Sequence, residues 1–311
     1  MLVIDDKERE FFEDNADLAN ALTQDLKPLS EIFDLTGKTA IVVGGACGLG
    51  YNVVYRLAEA GANVIIGDNE PLFGENTVKE LKEFAFDVDF FEMDLRDVDS
   101  IQAMIDYVEG KYGSIDICVD CAARWNLHPF LDMTEEEYDE VVDIVQKGTF
   151  FLGQRVARSM IRKGVHGKIV NIASVAALSS DTPYAMLSHY NTAKAGVVTL
   201  TKAMARELKQ YGILVNCVAP GGMPTAGAAR TMNGVYENRV MDDGVDEQAV
   251  IDKWVASAQS IPQCDSPDEV ALVVFSLCTD MANFMVGETV FADGGATLAM
   301  QNIGKLPRSI R

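Results

Sequence analysis

No apolar run in this 311-residue sequence reaches the roughly 18 residues that a membrane-spanning helix needs. The N-terminal segment is acidic where a secretory signal would be basic ahead of an apolar stretch, so the expectation is a cytoplasmic chain with no membrane partner. Positive charge is scarce as well: 26 Lys and Arg stand against 47 Asp and Glu, for a net charge of −21. A broad nucleic-acid surface or an anionic-membrane site needs clustered cations against phosphate, which leaves a small molecule as the better class of partner. Six cysteines, scattered over this length, are too few for a disulfide framework, and reduced thiols are expected. Cys118 and Cys121 have C-x-x-C spacing, but in an apolar strand-like run with no second pair and no nearby His. They read as buried structural thiols rather than as metal or redox groups, and no metal is expected.

What is present fits a globular α/β protein, with 48% hydrophobic and 23% charged residues. Residues 1–36 stand apart, with ten acidic and three basic side chains and hence a net −7. In this stretch Leu18, Leu22 and Leu26 recur at helical spacing beside Phe11 and Phe12, until Pro28 stops the pattern. Either this acidic arm docks on the body or on a neighbouring subunit, or it is a solvated tail. From Lys38 onward, short β-branched runs alternate with longer helical patterns: TAIVVG, ANVIIG, DVDFFEM, DICVDC, GKIVNIA, ILVNCVA and ETVFAD. Runs that are apolar nearly throughout suit strands covered on both faces, and the alternation predicts a Rossmann-type, doubly wound parallel sheet. One domain over 37–297 is expected, with a C-terminal tail over 298–311 and no repeat or dividing linker. The longest irregular region, about 223–263, carries Met223, Met232, Val235, Tyr236 and Met241 and suggests a lid over a site.

The first strand runs into VVGGACGLG, placing Gly44, Gly48 and Gly50 at a strand-to-helix junction. Glycines there allow a tight turn and let a pyrophosphate approach backbone N–H groups at the positive end of a helix. The second strand ends at Asp68, where a carboxylate can bind the adenosine ribose hydroxyls and repel a 2′-phosphate. Cys47 supplies no cation for that phosphate, so NAD(H) is expected over NADP(H). Further on, SHYNTAK sets Tyr190 and Lys194 four residues apart on one helix face. A neighbouring ammonium favours the phenolate and brings a tyrosine toward the working range of an acid/base catalyst.

Together these stretches resemble the short-chain dehydrogenase/reductase family over about residues 36–297. VGGACGLG is similar to its T-G-x-x-x-G-x-G with Val43 in place of Thr, and IASVAAL brings Ser174 to the catalytic serine position. SHYNTAKAG matches Y-x-x-x-K, DLR (Asp94 to Arg96) the adenine-contacting stretch, APGGMPT the segment after the sixth strand, and ADGG the last strand. The resemblance implies a catalytic set of Ser174, Tyr190 and Lys194. It also implies cofactor contacts from Gly44, Cys47, Gly48, Leu49, Gly50, Asp68, Asn69, Asp94, Leu95, Cys121, Ala122 and Ala123, with further ones from Tyr190, Lys194, Pro220, Gly221, Met223 and Thr225. Residues implied around the substrate are Trp125, Tyr184, Leu187, Met223, Met232 and Tyr236, with Met186 nearby; either they form a pocket for a large apolar substrate or they merely pack the lid. A homodimer or homotetramer is implied too.

Two stretches depart from the pattern. The family's N-N-A-G is DCAA here (Asp120 to Ala123), and its catalytic asparagine position falls on Val145. Valine cannot hold the water that links the lysine to solvent in this family. Either Gln146 or a backbone carbonyl holds it, protons leave by another route, or the protein binds nucleotide without efficient turnover. The arm, the run FDLTGKTAIVVGGACGLG and the lid together resemble bacterial 20β-hydroxysteroid dehydrogenases, which implies NADH-linked reduction of a steroid ketone. A polyol or sugar dehydrogenase is the alternative, and would need a more polar pocket.

Overall fold

The computed structural model describes residues 26–177, 186–225, 264 and 266–298. All seven anticipated strands form: β1 (Thr39–Val43), β2 (Asn63–Asp68), β3 (Val88–Glu92), β4 (Ile117–Asp120), β5 (Lys168–Ile172), β6 (Leu214–Pro220) and β7 (Thr289–Ala292). They make one parallel sheet in the order β3-β2-β1-β4-β5-β6-β7. In register, Ile41 of β1 lies between Ile65 of β2 and Cys118 of β4. Every residue of β1 and β4 is buried, as strands covered on both faces require.

Helices cover the two faces. On one, α1 (Gly48–Glu59) turns Leu49, Val53 and Leu57 inward at four-residue spacing and packs against α7 (Pro267–Cys278). The pair is joined at its rim by Arg56, whose guanidinium donates to both carboxylate oxygens of Asp268 (2.8 and 2.5 Å). Helix α2 (Pro71–Lys82) follows β2. On the other face, α3 (Val98–Tyr112) packs Ile101, Met104, Ile105 and Val108 against Leu152, Val156 and Met160 of α5 (Thr149–Lys163). Helix α4 (Glu135–Val142), started by a Thr134/Glu137 capping box, runs into α5 through a π-helical turn, Asp143–Gly148. The long α6 (Ser188–Leu208) lies over β6.

The strand order reverses between β1 and β4, and this is where an open α/β sheet forms its ligand crevice beyond the strand carboxyl ends. Here the two strands are laced together past their ends by the Cys121 N–H donating to the Val43 carbonyl (2.8 Å). Of the arm, Leu26 is exposed and the Lys27 ammonium reaches the Asp280 carboxylate (2.7 Å). Leu18, Leu22, Phe11 and Phe12 lie outside the described residues, as do most of the 223–263 region and the tail beyond 298.

Candidate active site

The glycine turn begins at Gly44 with φ +72°, a conformation that a side chain rarely adopts, and a Cβ there would lie 2.6 Å from the Ala122 nitrogen. Gly48, with φ +60°, opens α1, and a Cβ on it would stand 3.3 Å from the Thr225 Cβ. The glycine turn therefore packs directly on the backbone of the DCAA stretch and faces the Thr225 side chain, at the crevice beyond the strand ends. Asp68 closes its far end: its carboxylate accepts the Ala46 N–H (3.1 Å) and the Glu70 N–H (3.2 Å). Burial holds the Asp68 pKa above the usual carboxylate value, against those backbone donors.

Other residues anticipated at this crevice play different parts. Leu49 and Leu95 turn their side chains into the core, leaving backbone as what they can offer a ligand. The Asp94 carboxylate is held by Arg96 (2.6 Å), and its pKa lies below the ordinary value for that reason. Met223 packs against the core cluster behind α1, as does Cys121. Gly221, directly after β6, donates its N–H to the Ala292 carbonyl (2.9 Å).

On the β5 side, Ser174 lies two residues beyond the strand, and its hydroxyl accepts the Ala176 N–H (3.2 Å) at the start of a single 3-10 turn. Lys194 is 2% exposed and donates to the Ile172 carbonyl at 2.6 Å. This bond fixes the ammonium two residues from Ser174, and 5.8 Å from the centre of the Tyr190 ring. Burial pushes the Lys194 pKa down, opposed by the charge of Asp120. The end of β5 and α6 thus place Lys194 between the backbone leading to Ser174 and the Tyr190 ring. Leu187, at the N-cap of α6, is buried, and Trp125 is half-buried in the loop after β4. Tyr184, Met232 and Tyr236 lie outside the described residues.

Val145 is fully buried among Val141, Ala173, Ala193, Val197 and Cys217, with the Tyr190 ring against the same cluster. Of the groups weighed as its replacement, Gln146 is placed wrongly. Its amide packs on Gly196, on the outward flank of α6, away from the buried ammonium. The Val145 carbonyl, in the π turn, instead receives the Thr149 hydroxyl (2.7 Å).

A polar cluster next to Tyr190 was not anticipated. His189 is 1% exposed, its Nε2 lies 2.6 Å from the Asn126 Oδ1, and its Nδ1 has no partner among the described residues. Its ring meets that of His128 edge to face, and the His128 Nδ1 is 2.9 Å from the Glu137 carboxylate. Burial pushes the His189 pKa down, and His128 adds to that. The one visible signal was His189 inside SHYNTAK itself; Asn126 and His128 sit in a loop without periodicity.

The family profile described as short chain dehydrogenase matches residues 38–234. This chain belongs to the short-chain dehydrogenase/reductase family. Its members are oxidoreductases that use a nicotinamide cofactor. Over 264 residues it is 31% identical to the 3-oxoacyl-(acyl-carrier-protein) reductase of Thermotoga maritima, covering 85% of this chain and 99% of that one. Over 267 residues it is 30% identical to the 2-dehydro-3-deoxy-D-gluconate 5-dehydrogenase of Escherichia coli, covering 85% and 96%. Among solved structures, gluconate 5-dehydrogenase of Burkholderia cenocepacia, in complex with NADP and tartrate, superposes with a TM-score of 0.74 at 28% identity over 88% of this chain and all of that one. Among the described residues, no helix of this short-chain dehydrogenase is long and apolar enough to cross a membrane, and no His, Cys, Asp and Glu cluster is built to hold a metal.

Proposed function

We propose that this short-chain dehydrogenase interconverts a secondary alcohol and a ketone with NAD(H), using Tyr190 as acid and base, Ser174 to orient the substrate oxygen and Lys194 to tune the phenol. The observation that carries the reading is the Lys194 ammonium, buried, anchored on the Ile172 carbonyl and set 5.8 Å from the Tyr190 ring. A fixed cation there favours the phenolate over the phenol without having to reorganise, which is what a general base near neutral pH requires.

The crevice suits a dinucleotide. The left-handed backbone at Gly44 and Gly48 makes a tight turn that a side chain would disrupt, and it brings the N–H groups of the first turn of α1 to the end of the crevice. Gly44, Gly48 and Gly50 would hold the pyrophosphate, Asp68 the adenosine ribose, Lys194 the nicotinamide ribose and Thr225 the carboxamide. The cofactor when bound accepts or supplies the hydride. Tyr190 takes the alcohol proton in one direction and returns it in the other, while the Ser174 hydroxyl donates to the substrate oxygen. An ionised Asp68, already accepting two backbone N–H groups, has no cation beside it among the described residues to receive a 2′-phosphate, which favours NAD(H). The NADP-bound structural relative makes this choice a point to measure.

For the substrate, the sugar-acid dehydrogenases among the relatives named above favour a polar, hydroxylated ketone or alcohol, in the class of polyols and sugar acids. Such a substrate needs donors and acceptors in its pocket to replace the water that its hydroxyl groups give up. The hydroxysteroid expectation rests on overall resemblance and has no counterpart among the relatives named above. Oxidation of NADH is to be followed with ketoses and keto-gluconates and, in parallel, with ketosteroids. Turnover with ketosteroids alone would overturn the polar-substrate reading. Tyr190→Phe is expected to lower turnover by about 10³-fold or more while NADH still binds; full activity of that variant would remove Tyr190 from the chemistry. We also propose that a second copy covers the outward groove of Val142, Phe150, Phe151 and Leu200, where Phe150 is 46% exposed, in a dimer or tetramer.

A further inference from the structure

Where β4 ends below Lys194, this chain carries a carboxyl group in an enclosed polar chain. Asp120 is 3% exposed, Thr149 is 4% exposed, and Val145 is fully buried. One oxygen of Asp120, Oδ1, accepts the Ala122 N–H (3.2 Å). The other, Oδ2, lies 2.7 Å from the Thr149 Oγ1, and that same Oγ1 lies 2.7 Å from the Val145 carbonyl oxygen.

A hydroxyl has one proton to give, and both neighbours here are oxygens. With Asp120 ionised, the Thr149 proton serves either the carboxylate or the carbonyl, and the remaining pair of oxygens faces each other at 2.7 Å without a proton between them. With a proton on the Asp120 Oδ2, the chain closes: Oδ2–H donates to the Thr149 Oγ1, and the Thr149 O–H donates to the Val145 carbonyl. Buried polar atoms are paired as a rule, so the closed arrangement is the one this geometry fits.

The ionisable groups facing Asp120 are Lys194 from α6 and, on its own strand and the following turn, the thiols of Cys118 and Cys121. Cys217 of β6 faces Lys194. Burial raises all three thiols, which leaves Lys194 as the charged neighbour of Asp120. Burial works to keep the proton on Asp120, while Lys194 and Thr149 work to draw it off.

We propose that Asp120 is a positioning residue that holds a proton at neutral pH and releases it on the alkaline side, switching the field that Lys194 presents to Tyr190. While Asp120 is protonated, the ammonium acts on the phenol alone. Once Asp120 is ionised, the ammonium is shared with a second anion and favours the Tyr190 phenolate less. On release the Thr149 hydroxyl turns from the Val145 carbonyl to the carboxylate, and the proton leaves to solvent. This inference rests on the reading of Tyr190 as the acid and base.

The test uses the full chain, with Asp120→Asn as the main variant. Its amide keeps the shape of the carboxyl and can donate N–H to the Thr149 Oγ1, as the protonated carboxyl does. The infrared difference between wild type and this variant at neutral pH should contain the carbonyl stretch of a protonated carboxylic acid, and the wild-type band should disappear on raising the pH. The pH profile of kcat for alcohol oxidation should show one more inflection on its alkaline side in wild type than in Asp120→Asn. If Asp120→Asn does not fold, Thr149→Val serves: the same band should move to higher frequency as the carboxyl loses its acceptor. Absence of the band, or pH profiles that superimpose, would overturn the role of Asp120. Tyr190→Phe separates the two readings, since retained turnover in that variant removes Tyr190 as acid and base whatever the infrared band shows.

Discussion

Restoring asparagine at position 145 tests whether the valine there is a lost catalytic group or part of a repacked site. Val145 is fully buried in a wall of Val141, Ala173, Ala193, Val197 and Cys217. Val145→Asn gives up most of a buried valine's transfer free energy, about 1.5–3 kcal/mol. It also buries an amide among apolar side chains, which costs about 1–3 kcal/mol where no partner is in reach. The hydroxyl one turn on, Thr149, is already engaged by the Val145 carbonyl and Asp120. The expected loss is about 3–5 kcal/mol, a large share of the roughly 5–15 kcal/mol by which a folded protein is stable. In a chain of this size that lowers Tm by about 5–8 °C. Urea denaturation followed by far-ultraviolet circular dichroism should show a lower midpoint with an unchanged slope. A midpoint equal to that of wild type, accompanied by faster turnover, would refute the reasoning: the amide would then have found a partner, and the asparagine would be the missing part after all.

Asp68→Ala should raise the ratio of kcat/KM with NADPH to that with NADH by about tenfold or more, because a charged acceptor for the ribose hydroxyls is lost along with a repulsive charge. Wild-type protein that already uses the two cofactors equally would sink the NAD(H) reading. Phe150→Glu places a charge in the outward groove beside Phe151 and Leu200, and light scattering should show the protein shifted to monomer. An unchanged mass would move the subunit contact to another face.

The sheet was readable in advance because each strand is a short β-branched run bounded by turn residues, and burial on both faces imposes that composition. Asp68 was readable for a similar reason: its place at the end of β2 follows from the length of one βαβ unit. The cluster around His189 was not. It depends on Asn126 and His128, in a loop whose path is set by the Thr134/Glu137 cap and the backbone bond from the His128 N–H to the Met186 carbonyl. A bond between residues 58 apart leaves no local periodicity to detect. Likewise DCAA was visible as a departure, but its consequence was not, since the partner of Asp120 is a threonine that reads as an ordinary helix residue.

The departures at positions 120 and 145 are one structural event. Val145 closes the apolar wall beside Tyr190, and the same residue's carbonyl takes the Thr149 hydroxyl. That hydroxyl is the partner of Asp120, whose charge, once the carboxyl is ionised, acts on Lys194. A valine beside an ordinary amide at position 120 would leave Lys194 with neither a water-holding side chain nor a titratable neighbour. With the carboxyl present, the path from Lys194 to a proton-holding group runs inward through β4 and α5 rather than outward through Gln146. The two substitutions should therefore be non-additive. In a cycle of Val145→Asn, Asp120→Asn and the double variant, read by turnover across pH, the double variant should recover more activity than the product of the single effects allows. Independent effects would mean that the two positions tune different steps and that their adjacency through Thr149 has no part in proton handling.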